Sequence, residues 1–464
     1  MDPRAVECAS ARRGVWLAPL SRRRIRGYGD DVRSKLDVVV VGAGPNGLTA
    51  AARLAVAGRS VLVLEAAPTI GGGSRTTGLG AAMVDHCAAV HPFGATSPAF
   101  EELDLAAHGL RWLRPPVGLA HPFDDGAAAV IDDDTAAGLG VDESRWRRLV
   151  DPFADDWQRW RHAVVAPVLR SMVEHPISMT RFGVLAGLPA SAFERLFRGR
   201  AARALVAGTA AHGGATLTSL TTAGVGLGLL AAGQASGMPF AEGGSQSIVD
   251  ALASVVLAHG GTIETGRRVG AWTDLPDAHA VLLDVTPGQA AAIVGAPPPR
   301  WRHGVAAWKL DLVLSDPLPW TAEACRRAGT VHLGGTAPEV AAAERATVRG
   351  GLPERPFVIV AQPSVADASR APAGQHVVWA YRHVPNGCRD DRATAGIEAQ
   401  LDRFAPGWRD LVIERRVTTA LGYAAYSENY VGGDIAGGAM TPWQTLARPR
   451  LAYDPYRLRA REGV

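Results

Sequence analysis

A glycine-rich turn with the spacing G-x-G-x-x-G lies at Gly42, Gly44 and Gly47, with Ala43, Pro45 and Asn46 between them, and an acid, Glu65, follows 18 residues after Gly47. These residue types suit a diphosphate. Gly42 allows a tight turn, Gly44 lets the backbone come close to a pyrophosphate, and Gly47 lets the following helix pack against the preceding strand. The start of that helix offers unpaired N–H groups and the positive end of its dipole. Glu65 is placed to accept hydrogen bonds from a ribose diol, and its charge would repel a 2′-phosphate. The elements that must hold these residues are legible on both sides. Val38, Val39, Val40 and Val41 form the β-branched run of a strand buried on both faces. Leu48, Ala51, Ala52, Leu54 and Ala55 recur at helical spacing, and Gly58 is placed to end the helix. Val61-Leu62-Val63-Leu64 then reads as a second strand ending on Glu65. Strand, glycines, helix, strand and acid in that order point to a dinucleotide-binding βαβ unit.

A second glycine turn, Gly71-Gly72-Gly73, precedes Arg75 and Thr76. Over residues 38–76 the sequence resembles the flavin-binding oxidoreductases of the amine oxidase and phytoene desaturase group, without a gap. A generic NAD domain has no need of the second turn, so the resemblance implies FAD. It assigns the cofactor to Gly42, Gly44, Pro45, Asn46, Gly47, Glu65, Gly71, Gly72, Gly73 and Arg75. Later segments resemble the phytoene-desaturase-like branch: residues 85–92 (Asp85 to Pro92), Gly243-Gly244-Ser245-Gln246 with the helix after it, a strand over 262–269 whose Val269 would lie near the adenine, and a strand over 280–286. The resemblance implies an α/β fold: a Rossmann-like FAD-binding domain built from discontinuous segments, plus an α+β substrate domain. The expected boundaries are a disordered leader at 1–35 and FAD-binding segments at 36–105 and 240–300. Substrate-domain segments fall at 106–239 (helical) and 301–424 (sheet), and the start of a C-terminal FAD-binding part at 425–464. Lys309, in the strand-like run 305–314, resembles the flavin amine oxidase lysine that reaches flavin N5 through water. A cation there would stabilise charge on the reduced flavin. The competing expectation is a plain strand residue.

The rest of the chain narrows the classes. Its 464 residues carry 48 basic and 45 acidic side chains, a net charge of +3, which gives a nucleic-acid partner no electrostatic footprint. Only Lys35 and Lys309 are lysines. The four cysteines are scattered, with no C-x-x-C, which excludes a disulfide reductase centre and fits a reducing, cytoplasmic setting. His86 and His91 fall on different faces of either a helix or a strand, so no metal is expected. Trp146, Leu149, Val150, Phe153, Trp157, Trp160 and Val164 mark an amphipathic helix that Pro152 should kink or restart near Asp151, read as a cavity lining or membrane-docking face, or as an ordinary core-facing helix. Residues 204–241 contain no Asp, Glu, Lys or Arg, but glycines and hydroxyl residues dilute the stretch. Helices packed through small residues are expected there rather than a membrane span, with peripheral membrane contact left open.

The resulting expectation is hydride removal from an apolar, isoprenoid-like small molecule to FAD, with oxygen or a quinone as acceptor because no second G-x-G-x-x-G for NADPH is present. Two rivals are weighed. A flavin amine oxidase would need an aromatic pair, for which Tyr423, Tyr426 and Tyr430 are the clustered candidates. A non-enzymatic lipid binder resembling the Rab GDP-dissociation inhibitors would have no use for the glycines and Glu65. Relatives continue past Asp454-Pro455-Tyr456-Arg457 with a strand, a turn and a flavin-facing helix, where this sequence has the polar residues 458–464. The expectation from that difference is weak or no FAD binding and a tendency to aggregate.

Overall fold

The structure is a computed structural model, and it describes residues 36–458. The leader expected at 1–35 and the terminal stretch 459–464 lie outside the described residues. The strand Leu36–Val41 is central to a parallel sheet of four, in the order Ala278–Leu283, Leu36–Val41, Val61–Leu64 and Thr262–Glu264. Alternation along the valine run feeds two layers. Val38 and Val40 face the helices Pro45–Val56 and Gln246–Ala258, against Leu48, Ala52, Val249 and Leu252. Val39 and Val41 face the other side with Leu62, Leu64, Val281 and Ile293. Burial on both faces is why every position of the run is apolar.

The last strand of this sheet is shorter than expected. It stops at Glu264 because Gly266 turns the chain with φ +68° and Arg267 N–H donates to Glu65 O. Val269 therefore lies outside any strand and packs, half-buried, on the Val39 side of the sheet.

A second sheet has seven strands, in the order Val412–Thr418, Ala306–Leu314, His376–Val384, Val358–Ala361, Ala328–Leu333, Val117–Pro122 and Ala128–Ile131. All neighbours are antiparallel except the pair Ala328–Leu333 with Val117–Pro122. Its two faces differ in chemistry. Trp308, Leu310, Leu312 and Leu314 pack on Ile397, Leu401 and Phe404 of the helix Arg392–Phe404. The intervening Lys309 and Asp311 lie on the opposite face, where Lys309 meets the end of the hairpin strand Ala82–Asp85 and Val313 packs on Ala82 and Val84 of the same strand.

The amphipathic run is three helices: Glu143–Leu149, Asp151–Asp155, which starts afresh at the expected place with Pro152 in its first turn, and Trp157–Val165 after a further break at Asp156. Trp146, Phe153, Trp157 and Trp160 all enter one core cluster, so most of that stripe is ordinary packing. The uncharged stretch holds most of the helix Arg200–Ala211 and all of Thr222–Ser236, which touch through small residues; a Cβ on Gly226 would sit 3.1 Å from Ala210 Cβ. No helix among the described residues is long and apolar enough to cross a membrane.

Candidate functional site

Gly47 shows why the glycine turn needs its composition: a Cβ there would lie 2.1 Å from Gly42 O, so the helix could not approach the strand. Pro45 occupies the first turn of that helix, where no N–H is required, and Asn46 is exposed beside it. The two glycine turns meet. Gly71 N–H donates to Ala43 O at 2.9 Å, and a Cβ on Gly72, whose φ is +53°, would lie 3.1 Å from Gly44 Cα. Gly73 and the following Ser74 border the cavity described below.

Glu65 ends its strand with the side chain 12% exposed. Its two carboxylate oxygens accept from Ala43 N–H and Ala67 N–H, each at 2.8 Å. A carboxylate has about four lone-pair sites, so capacity remains for a ribose diol. Arg75 stands 3.7 Å from Glu65 and donates to Ile70 O and to Tyr426 Oη. It ties the second glycine turn to the end of the strand and to the tyrosine segment. The cradle therefore brings together the two glycine turns, Glu65 and Arg75, and Val269 packs in the apolar cluster of Val41 and Leu64, the residues that precede Gly42 and Glu65.

The sequence reasoning missed Asp284. It follows the strand Ala278–Leu283, and its Oδ2 accepts from Gly47 N–H at 2.8 Å. Burial, with the Glu65 charge adding, pushes its carboxyl up to about 6, despite the Gly47 hydrogen bond. An acid just past a strand that pairs with the glycine-turn strand was the available signal.

The tyrosines gather around the same turn. Tyr426 Oη donates to Gly72 O, and its ring stacks on His86 at 3.6 Å; Tyr423 Oη donates to His86 O. Tyr426 and Tyr430 are nearly parallel, 13° apart with centroids 6.3 Å apart, and only Tyr430 of the three borders the cavity. His86 and His91 part company: His91 Nε2 is 2.8 Å from Ser245 Oγ, and no three His, Cys, Asp or Glu among the described residues are placed to hold a metal.

Lys309 is fully buried, and three oxygens lie within 3.0 Å of its Nζ: Asp85 O, His86 O and Asp311 Oδ1. The ammonium donates to the two backbone oxygens, and Asp311 stands beside it as its counter-charge. Burial draws the Lys309 ammonium below its ordinary pKa, against the pull of Asp311. Lys309 does not border the cavity; it anchors the segment that carries His86.

That cavity, ≈ 1220 Å³, begins at Pro45, Gly73 and Ser74, passes beneath the helices Trp157–Val165 and Pro176–Ala186, and reaches the polar face of the large sheet at Thr330, Ala361 and Trp379. No Asp, Glu or Lys borders it among the described residues.

Comparison with known proteins agrees with this layout. Residues 40–103 match a family described as an NAD(P)-binding Rossmann-like domain. The chain is 24% identical, over 95% of its length and 90% of the relative's, to pyridine nucleotide-disulfide oxidoreductase domain-containing protein 2 of Rattus norvegicus. It is 37% identical over 98 residues to one of the subunits of limonene dehydrogenase from Castellaniella defragrans, a match covering 21% of this chain and 18% of the relative. Putrescine oxidase bound to putrescine superposes with a TM-score of 0.56 at 17% identity, over 91% of this chain and 95% of that one. The chain shares the fold of putrescine oxidase. Within it the N-terminal βαβ unit is the part that matches the Rossmann-like family.

Proposed function

We propose that the chain is an FAD-dependent oxidoreductase of the phytoene-desaturase-like kind, acting on an apolar small molecule. One observation carries the reading: an apolar cavity opens directly onto the double glycine turn at Pro45 and Gly73, so a cofactor in the cradle and a substrate in the cavity would share a wall. The cradle suits a dinucleotide, because two turns free of side chains at Gly44 and Gly72 meet at the start of the helix Pro45–Val56, beside the acid Glu65. Gly42, Gly44 and Gly47 would hold the diphosphate, Glu65 the ribose, and Gly71, Gly72, Gly73 and Arg75 the stretch toward the cavity. Bound FAD would supply the hydride acceptor. The chain's own part is to orient the substrate and exclude water, which the apolar walls do; Lys309, fixed by Asp311, positions the His86 segment beside the turn. Oxygen or a quinone is the proposed final acceptor.

The amine oxidase alternative gains a nearly parallel Tyr426–Tyr430 pair, but the cavity offers an ammonium no carboxylate, and an unpaired buried charge is costly. The lipid-binder alternative leaves the cradle without a purpose. The decisive experiment is to purify the protein with added FAD, denature it and look for flavin in the supernatant. Anaerobic bleaching by apolar polyenes, set against peroxide release with an amine panel, then chooses the substrate class. Absence of flavin at saturating FAD would overturn the proposal.

A further inference from the structure

The sheet face at the bottom of the cavity carries polar groups that nothing among the described residues satisfies. Strand register pairs Thr330 with Ala361 and Ala361 with Trp379, so three neighbouring strands set these side chains in one row. Adjacent strands are ~4.8 Å apart, which places Thr330 and Trp379 about 10 Å from each other across the small Ala361. All three border the cavity. Thr330 is 3% exposed and Trp379 8%, yet the Thr330 hydroxyl and the Trp379 indole N–H have no hydrogen-bond partner among the described residues. Buried donors left unpaired cost free energy, and native proteins keep few of them.

A third polar group closes the arrangement. His212, at the C-terminal end of the helix Arg200–Ala211, borders the same cavity, and its Nε2 is 2.9 Å from Nε2 of His332. His332 lies two residues beyond Thr330 on the same strand and so on the same face. Burial pushes the His212 pKa down to about 3 and that of His332 well below its ordinary value, so both rings are neutral. The charged residues that do border the cavity, Arg448 and Arg450, come from the segment after the helix Pro442–Leu446 and not from the sheet.

We propose that Thr330, Trp379 and His212 form a subsite that holds an uncharged oxygen of the substrate, a hydroxyl, carbonyl or ether, so that this cavity takes an apolar molecule bearing an oxygen function rather than a bare hydrocarbon. The inference rests on the reading of the cavity as the substrate site. An indole N–H only donates, which demands an acceptor; a hydroxyl and a neutral imidazole can donate or accept, which suits an alcohol as well as a ketone.

The test measures binding of farnesol and of its hydrocarbon counterpart farnesene to the full chain, by displacement of Nile red. Farnesol is expected to bind at least about tenfold more tightly. Thr330→Val and Trp379→Phe should each cut that preference to about threefold or less, while farnesene affinity, which doubles as the folding control, stays within about twofold. Equal affinity of the unaltered chain for both probes overturns the subsite, as does a preference that survives both substitutions. A farnesol preference in a chain that takes up no flavin supports the subsite and defeats the cofactor reading; flavin uptake with equal affinities does the reverse.

Discussion

Two buried charges at the site have consequences that differ in sign. Asp284 carries a folded-state pKa of about 6 against an ordinary 3.8. The folded chain thus holds a proton that the unfolded chain has lost, and stability falls as pH rises from about 4 to about 6, then levels off. A pKa raised that far corresponds to a loss of about 3 kcal/mol across the interval. Asp284→Asn keeps an acceptor for Gly47 N–H and should remove that fall, so urea unfolding at pH 7.5 should show the variant more stable, with the gap closing near pH 4. Lys309 behaves otherwise. Lys309→Met leaves Asp311 buried with Arg416 as its remaining cation, 3.5 Å away, and should cost about 3–5 kcal/mol in denaturant unfolding. The double change Lys309→Met with Asp311→Leu should recover most of it. If Lys309→Met unfolds like the unaltered chain but slows flavin reoxidation, the lysine acts at the flavin and not through the ion pair.

At the scale of elements, helix packing explains which parts of the sequence could be read. The βαβ unit was legible because its chemistry is local: glycines, helix period and terminal acid lie within one run. Asp284 arrives from 237 residues away in sequence, and the row Thr330–Ala361–Trp379 exists only once three strands are aligned. The stripe from Trp146 to Val164 showed helical period, and Pro152 marked the break at Val150, but nothing in the sequence marked the second break at Asp156. Glycines within these helices separate by environment. A Cβ on Gly208 would sit 2.6 Å from His332 Nδ1, whereas one on Gly183 would meet nothing within 4 Å. Gly208→Ala should therefore lose about 1–3 kcal/mol through overpacking, more than the helix propensity returns. Gly183→Ala, in an exposed turn of its helix, should gain about 0.5–1 kcal/mol. Thermal melts of both variants check the contrast.

Across the whole molecule one carboxylate links the layers. Asp85, at the end of the strand Ala82–Asp85, accepts from Thr76 Oγ1, from Ser245 N–H before the helix Gln246–Ala258, and from Arg370, while its backbone O takes the Lys309 ammonium. Burial alone would raise its pKa, but the Arg370 charge and these hydrogen bonds hold it below 3.8. Its contribution is present above the ordinary carboxylate pKa and is lost as pH falls through the lower folded value. Asp85→Asn should destabilise the chain at neutral pH by about 3 kcal/mol or more, and acid titration followed by circular dichroism should show that loss narrowing toward low pH. The resemblance in sequence pointed to the 85–92 segment without indicating this linking role, because the partners lie on four separate stretches of chain.

The scarcity of lysine has a practical side. Lys309 is the sole lysine of the described residues, and its side chain is wholly buried. An amine-acylating reagent therefore finds no accessible ε-amine across the two sheets, and a mass tag can reach Lys309 only when the strand Ala306–Leu314 opens. The rate of tagging at that position, read by peptide mass spectrometry, becomes a clock for the breathing of the large sheet. Ligands that fill the cavity should slow the clock, and the slowing would report occupancy without any chromophore or turnover.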